Sequence, residues 1–132
     1  MHAAGVEVAD ASLATATAWF EARPGHYSAV VISRPDNFVR FRSIIERTQP
    51  QAIKVIDVEA IYSRRTAMHA RLLGNGDGTK APVHDQSLLS LSARQRGVEF
   101  ESWNWADIVV CVSADEAAEV RRTAPISASS SC

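Results

Sequence analysis

Residues 29–57 read AVVISRPDNFVRFRSIIERTQPQAIKVID, and this stretch decides the fold. Ala29 to Ile32 is a continuous apolar run. Such runs belong to strands buried on both faces, which is how parallel sheets are built. Ser33-Arg34-Pro35 closes the run, and Pro35 suits the first position of a helix, where its lack of an N–H costs nothing. Phe38, Phe41, Ile44 and Ile45 then recur at helical spacing as one apolar stripe, while Arg40, Arg42, Glu46 and Arg47 fall mostly elsewhere. Pro50 stops the helix. A second apolar run, Ala52 to Ile56, ends on Asp57. Strand, helix and strand in this order form a parallel unit with a right-handed crossover.

The alternation continues on both sides. Toward the C-terminus, Ala60 to Leu73 reads as a helix with Ile61, Met68 and Leu72 inward and Arg64, Arg65 and Arg71 available for polar contacts. The glycine-rich run Gly74 to Gly78 follows no strand and carries no Gly-Lys-Ser/Thr, so it reads as a flexible linker rather than a phosphate loop. Gln86 to Trp105 is helical, although Gly97 weakens it by about 1 kcal/mol relative to alanine. Asp107 to Val112 is a further strand, and Ser113 with Glu116 has capping-box spacing at the head of a helix running to about Arg122. The serine-rich tail from Pro125 reads as frayed.

Toward the N-terminus, Gly5 to Val8 is a short strand candidate. Asp10 and Ser12 offer caps for a helix carrying Leu13, Ala16 and Phe20, which Arg23-Pro24-Gly25 ends. The expected fold is α/β, Rossmann-like and three-layered, with a mostly parallel sheet of about four to five strands. It forms one domain over residues 1–124, with a flexible tail over 125–132.

Composition narrows the function. The chain has 132 residues, of which 46% are hydrophobic and 22% charged, an ordinary globular balance. Fourteen Lys and Arg against fifteen Asp and Glu give a net charge of -1, so no bulk positive field draws nucleic acid or an anionic membrane. No apolar run approaches the roughly 18 residues of a membrane span. The N-terminus lacks a basic region, and Glu7 and Asp10 interrupt any secretory apolar stretch. Two cysteines, Cys111 and Cys132, are too few for a disulfide framework, and the chain reads as cytoplasmic. His2, His26, His69 and His84 show no metal-ligand spacing, and neither a metal nor a cofactor is expected. Cys111, in mid-strand, reads as a buried small hydrophobe. Trp103 and Trp105 point to different sides of their helix, and packing accounts for at least one of them.

In parallel α/β sheets the ligand crevice lies outside the carboxyl ends of the strands. Three positions qualify: Ser33-Arg34-Pro35, Asp57-Val58-Glu59, and Ser113 with its neighbours. Asp57 and Glu59 are either a general base or metal-ligating pair, or a helix cap beside a solvated carboxylate. Arg34 is either a bidentate anion fork or an ordinary surface arginine. Arg64 and Arg65 add positive potential at the same mouth or pair with nearby acids.

Four stretches, taken in order, resemble a known family: Ala29 to Pro35, Gln49 to Arg65, Trp105 to Ser113, and Ala114 to Ala118. They are similar to the N-terminal domain of GT-B glycosyltransferases of the family 4, or group 1, type. In that family a strand ending in Ser-Arg-Pro precedes a segment with Asp, an acid two residues on, and a later Arg. An Ala-Asp-led apolar strand ending in Val-Ser follows, with an acid shortly after. The resemblance covers roughly residues 5–125.

It implies two Rossmann-like domains facing across a cleft, the N-terminal one receiving the acceptor and the C-terminal one the nucleotide-sugar donor. Asp57 and Glu59 are then the acceptor-side catalytic residues, with Arg34, Arg64, Arg65 and Ser113 contributing to substrate binding. Neither the family's opening glycine-rich strand nor a donor domain is recognisable in the sequence. The chain is thus expected to be the truncated acceptor-side half of a glycosyltransferase, inactive alone. Its partners are a donor held by a second domain, an acceptor glycan or lipid-linked saccharide, and a second copy in a homodimer through uncovered apolar surface or sheet edge.

Two alternatives belong to other classes. One is a non-catalytic α/β interaction or ligand-binding module. The other is a receiver-like signalling domain phosphorylated on Asp57, which needs acids at the first strand end and a lysine after the last. This sequence offers only Asp10 and no such lysine.

Overall fold

The computed structural model of the chain describes residues 7–8, 12–74 and 83–124. The elements run α1 (Leu13–Glu21), β1 (Ala29–Ser33), α2 (Pro35–Thr48), β2 (Ile53–Asp57), α3 (Tyr62–Gly74), α4 (Val83–Trp105), β3 (Ile108–Val110) and α5 (Ala114–Thr123). Local chemistry sets most of these bounds. Ser12 accepts the Thr15 N–H at the head of α1, Pro35 opens α2, and Ser113 accepts the Glu116 N–H at the head of α5. Ahead of β1, the fully buried Gln49 locks the turn. Its Oε1 accepts the Tyr27 N–H at 3.1 Å and its Nε2 donates to the Arg23 carbonyl at 2.7 Å. Gly25 holds a φ of 64° in that turn, a conformation that favours glycine.

The three strands are parallel, in the order β1-β2-β3. Among the described residues the sheet therefore has three strands, not the four to five expected. The candidate Gly5–Val8 lies mostly outside the described residues, and Glu7 and Val8 carry no strand structure. The last strand is shorter than its apolar run, Ile108–Val110 rather than Asp107 to Val112. Among the described residues it pairs with β2 alone, and the Asp107 carboxylate accepts the Lys54 N–H at 2.8 Å, closing the ladder at that end.

The strands are also not buried on both faces. Ile32 and Ile56 lie in the core with Val30 and Val109 against them, while Val31 and Ile108 are 63% and 50% exposed. Successive residues of a strand point to opposite faces, so one face is packed and the other open among the described residues. Strands added in one direction send right-handed crossovers over the same face. The described part is accordingly two-layered rather than three-layered.

Phe38, Ile44 and Ile45 of α2 complete the core with Val58, Ile61, Trp103 and Val120. Helix α3 differs from its expected orientation. Ile61 just before it is buried, but Met68 and Leu72 are 54% and 72% exposed. The buried positions are the small Ser63 and Ala70, seven residues apart, with Thr66 and Ala67 half-buried between them. Small side chains let α3 lie close against α4, so the large apolar residues turn outward. The glycine-rich linker beyond Gly74 and the serine-rich tail lie outside the described residues. Among the described residues no helix is long and apolar enough to cross a membrane.

Candidate functional site

Register brings the strand ends level: Ser33 pairs with Asp57, and Asp57 with Val110. Asp57 therefore sits on the central strand between two neighbours. Ser33 Oγ donates to Asp57 Oδ2 at 3.2 Å, and the Glu59 N–H donates to Asp57 Oδ1 at 3.3 Å. Asp57 thus folds the loop after β2 and does not cap α3, which begins only at Tyr62. Val58 anchors that loop: it is buried, and its N–H donates to the Val110 carbonyl at 2.9 Å.

Glu59 then takes a φ of 50° and Arg34 a φ of 74°. Among the described residues these are the non-glycine positions with positive φ, and each such conformation costs on the order of 1–3 kcal/mol. The two strained residues meet: Arg34 Nε donates to Glu59 Oε2 at 3.1 Å, and the Tyr62 hydroxyl donates to the same oxygen at 3.4 Å. That hydrogen bond and the Glu59 charge push the exposed Arg34 guanidinium further above its usual range. Glycine would fit either backbone without strain. Asn37, in the first turn of α2, donates to the Ser33 carbonyl at 2.9 Å and ties the helix to the strand end.

Beside this mouth lies an apolar groove of about 270 Å³ between α1, β1 and α2. Trp19, Phe20, Val31 and Phe41 line it, and it reaches Ser33 and Asn37. The tyrosine ahead of β1 stiffens its far wall: Trp19 Nε1 donates to the Tyr27 hydroxyl at 2.6 Å, and the Phe20 and Tyr27 rings meet edge to face.

The other anticipated residues are placed differently. Ser113 caps α5 through the Glu116 N–H at 3.2 Å. The Glu116 carboxylate does not turn back to complete a capping box; its Oε1 accepts the Ile61 N–H at 3.4 Å, and its Oε2 is buried without a partner. Arg64 points to Glu119 of α5, 4.0 Å away, and Arg65 is exposed on α3. Cys111 is half-buried; burial first, then the Glu116 charge, pushes its thiol up, which disfavours the thiolate a nucleophile needs. Among the described residues no group of three or more His, Cys, Asp or Glu could hold a metal ion.

Glu99 carries no signal in the sequence. It is 1% exposed, and its carboxylate accepts the Ser63 N–H at 3.1 Å and the Ser63 hydroxyl at 2.5 Å. Acids from α4 and α5 thus take the Ser63 N–H in the first turn of α3 and the Ile61 N–H just ahead of it, where a local cap is usual. Nothing near Ser63 in sequence announces this, since Glu99 lies 36 residues on.

The mouth can hold a hydroxyl-bearing ligand. Asp57 is an anionic acceptor steadied by two donors, able to take the proton of a hydroxyl placed against it. Glu59 and Arg34 offer an acceptor and a cation beside it, and the groove offers aromatic faces. Comparison of the chain with protein-family models, curated proteins and solved structures finds no match.

Proposed function

We propose that this chain is the acceptor-side part of a Rossmann-like, GT-B sugar transferase of the group 1 type, working in the cytoplasm with a second domain that binds the nucleotide-sugar donor. The observation that carries the reading is the Asp57–Glu59 loop. Two carboxylates stand at the carboxyl end of the central strand, on a backbone kept strained at Glu59 and at its partner Arg34. Strain kept where glycine would relieve it favours a role for the side chains themselves.

In this reading Asp57 receives the proton of the acceptor hydroxyl as that oxygen bonds to the anomeric carbon of the donor, while the bond from this carbon to the diphosphate oxygen breaks and the nucleotide diphosphate leaves with the electron pair on the second domain. Glu59, with Arg34 and Tyr62 holding it, contacts neighbouring hydroxyls. The Trp19–Phe41 groove takes the apolar or ring-face portion of an acceptor glycan or lipid-linked saccharide. Transfer requires donor and acceptor held together, so the isolated chain is inactive. The outer edge of β1 and the open sheet face, uncovered among the described residues, take up a second copy of the chain in this reading.

The test is co-expression of the chain with the product of the neighbouring reading frame, followed by sugar-nucleotide turnover with candidate acceptors. Asp57→Asn should reduce transfer at least about 100-fold, the scale of a lost general base, and Glu59→Gln at least about tenfold, the scale of a lost charge-assisted hydrogen bond. Both should keep the far-UV circular dichroism and melting profile. Unchanged transfer in both variants, or no transfer with the partner present, overturns the reading.

A further inference from the structure

Away from the strand ends, α3, α4 and α5 converge on one carboxylate. Glu119 of α5 is 15% exposed and has Arg64 at 4.0 Å, Arg96 at 3.8 Å and Arg122 at 3.9 Å. All three distances exceed hydrogen-bonding reach, so the guanidinium donors are held near Glu119 by charge and are not spent on it. Beside it opens a cavity of about 390 Å³ lined by Arg64, Arg71, Ser92, Arg96 and Glu119.

Ser63 also lines this cavity, with the buried Glu99 behind it. Three guanidinium groups, those of Arg64, Arg71 and Arg96, therefore line the cavity against the one carboxylate of Glu119, an excess of two positive charges in a chain whose net charge is -1. Like charges gathered from three helices repel one another unless an anion joins them. A phosphate monoester carries about -1.5 to -2 at neutral pH with three strong acceptor oxygens, which matches both the charge excess and the unspent planar donors.

The geometry points to a phosphate-binding site between α3, α4 and α5, with Arg64 and Arg96 as its principal ligands, Arg71 and Arg122 as flanking cations, and Glu119 as the competing anion that holds the arginines together when the site is empty. The assignment is independent of the sugar-transfer reading and stands or falls on binding alone.

Calorimetric titration of the full chain with inorganic phosphate, in chloride at constant ionic strength, should give saturable binding at one site. The double variant Arg64→Gln with Arg96→Gln should weaken it at least tenfold. Both side chains are more than half exposed, so the fold should survive, as circular dichroism will check. Glu119→Gln, which removes the competing anion, should tighten it severalfold. Arg40→Gln with Arg47→Gln, the same charge removed from α2, should leave it unchanged. Vesicles of phosphatidylcholine with phosphatidic acid separate the sources. Binding of inorganic phosphate assigns a free phosphate; binding of the vesicles alone, lost in the Arg64/Arg96 variant, assigns a lipid headgroup. Absence of both, or equal loss in the two double variants, overturns the site.

Discussion

The two faces of the sheet carry similar residues with opposite fates. Ile32 and Ile56 are 4% exposed, under α2 and α4, whereas Val31 and Ile108 are 63% and 50% exposed on the other side. Composition does not distinguish the faces, since both are β-branched and apolar. Connectivity does: each crossover returns over the same side, so within the described residues one face is packed and the other is open.

The largest effects should come from the packed face. Ile56→Ala removes core atoms where neighbours cannot close in, and should cost about 2–5 kcal/mol in urea unfolding. Val31→Ala, the matching truncation on the open face, should cost under about 1 kcal/mol. Equal losses would mean that both faces are covered in the free chain. Next comes Glu99 on the packed side. Its change to Ala leaves the Ser63 N–H and hydroxyl buried without acceptors and should cost about 2–3 kcal/mol. A near-neutral result would show that water reaches Ser63.

The open face is tested by association rather than stability. Sedimentation velocity of the full chain should show a concentration-dependent rise in mass. Val31→Lys with Ile108→Lys should abolish it while changing monomer stability by under about 1 kcal/mol. A strictly monomeric wild type at high concentration removes the reason to expect a partner on this face.

The smallest effect belongs to the rim of the packed side. The Arg42 hydrogen bond, and secondarily that from Trp105, hold the Glu46 carboxyl below its ordinary 4.5 despite opposing burial. A carboxyl depressed in the folded state adds stability above its unfolded value and loses it as pH falls through the folded one. Because the pair is partly exposed and screened, Glu46→Gln should cost about 0.5 kcal/mol at pH 7. The difference from wild type should shrink as pH falls below 4.5 and vanish once the carboxyl is protonated in the folded state, as paired thermal melts will show.

Part of the candidate site was legible in the chain. Asp57 and Ser33 were identifiable because each ends an apolar run, and parallel strands deliver their last residues to one edge. Glu59 and Arg34 were identifiable as neighbours of those ends. Their contact was not, because they lie 25 residues apart and meet through the register of β1 on β2. Tyr62 gave no signal, since its role rests on where Glu59 points after a left-handed residue. Arg64 looked like a mouth residue by its distance from the strand, but the rotation of α3 takes it to Glu119.

The sequence by itself determined the alternation of strands and helices, the proline that opens α2, the serine that caps α5 and the acids at the central strand end. These depend on contacts within about four residues along the chain, which periodicity and cap chemistry record. The tertiary structure alone decided which sheet face is packed and which side of α3 is buried. It also decided that Glu99 lies inside, and that three helices bring their arginines together. Each of those outcomes depends on partners tens of residues away, and close packing of small side chains on α3 outweighs the preference of Met68 and Leu72 for the interior.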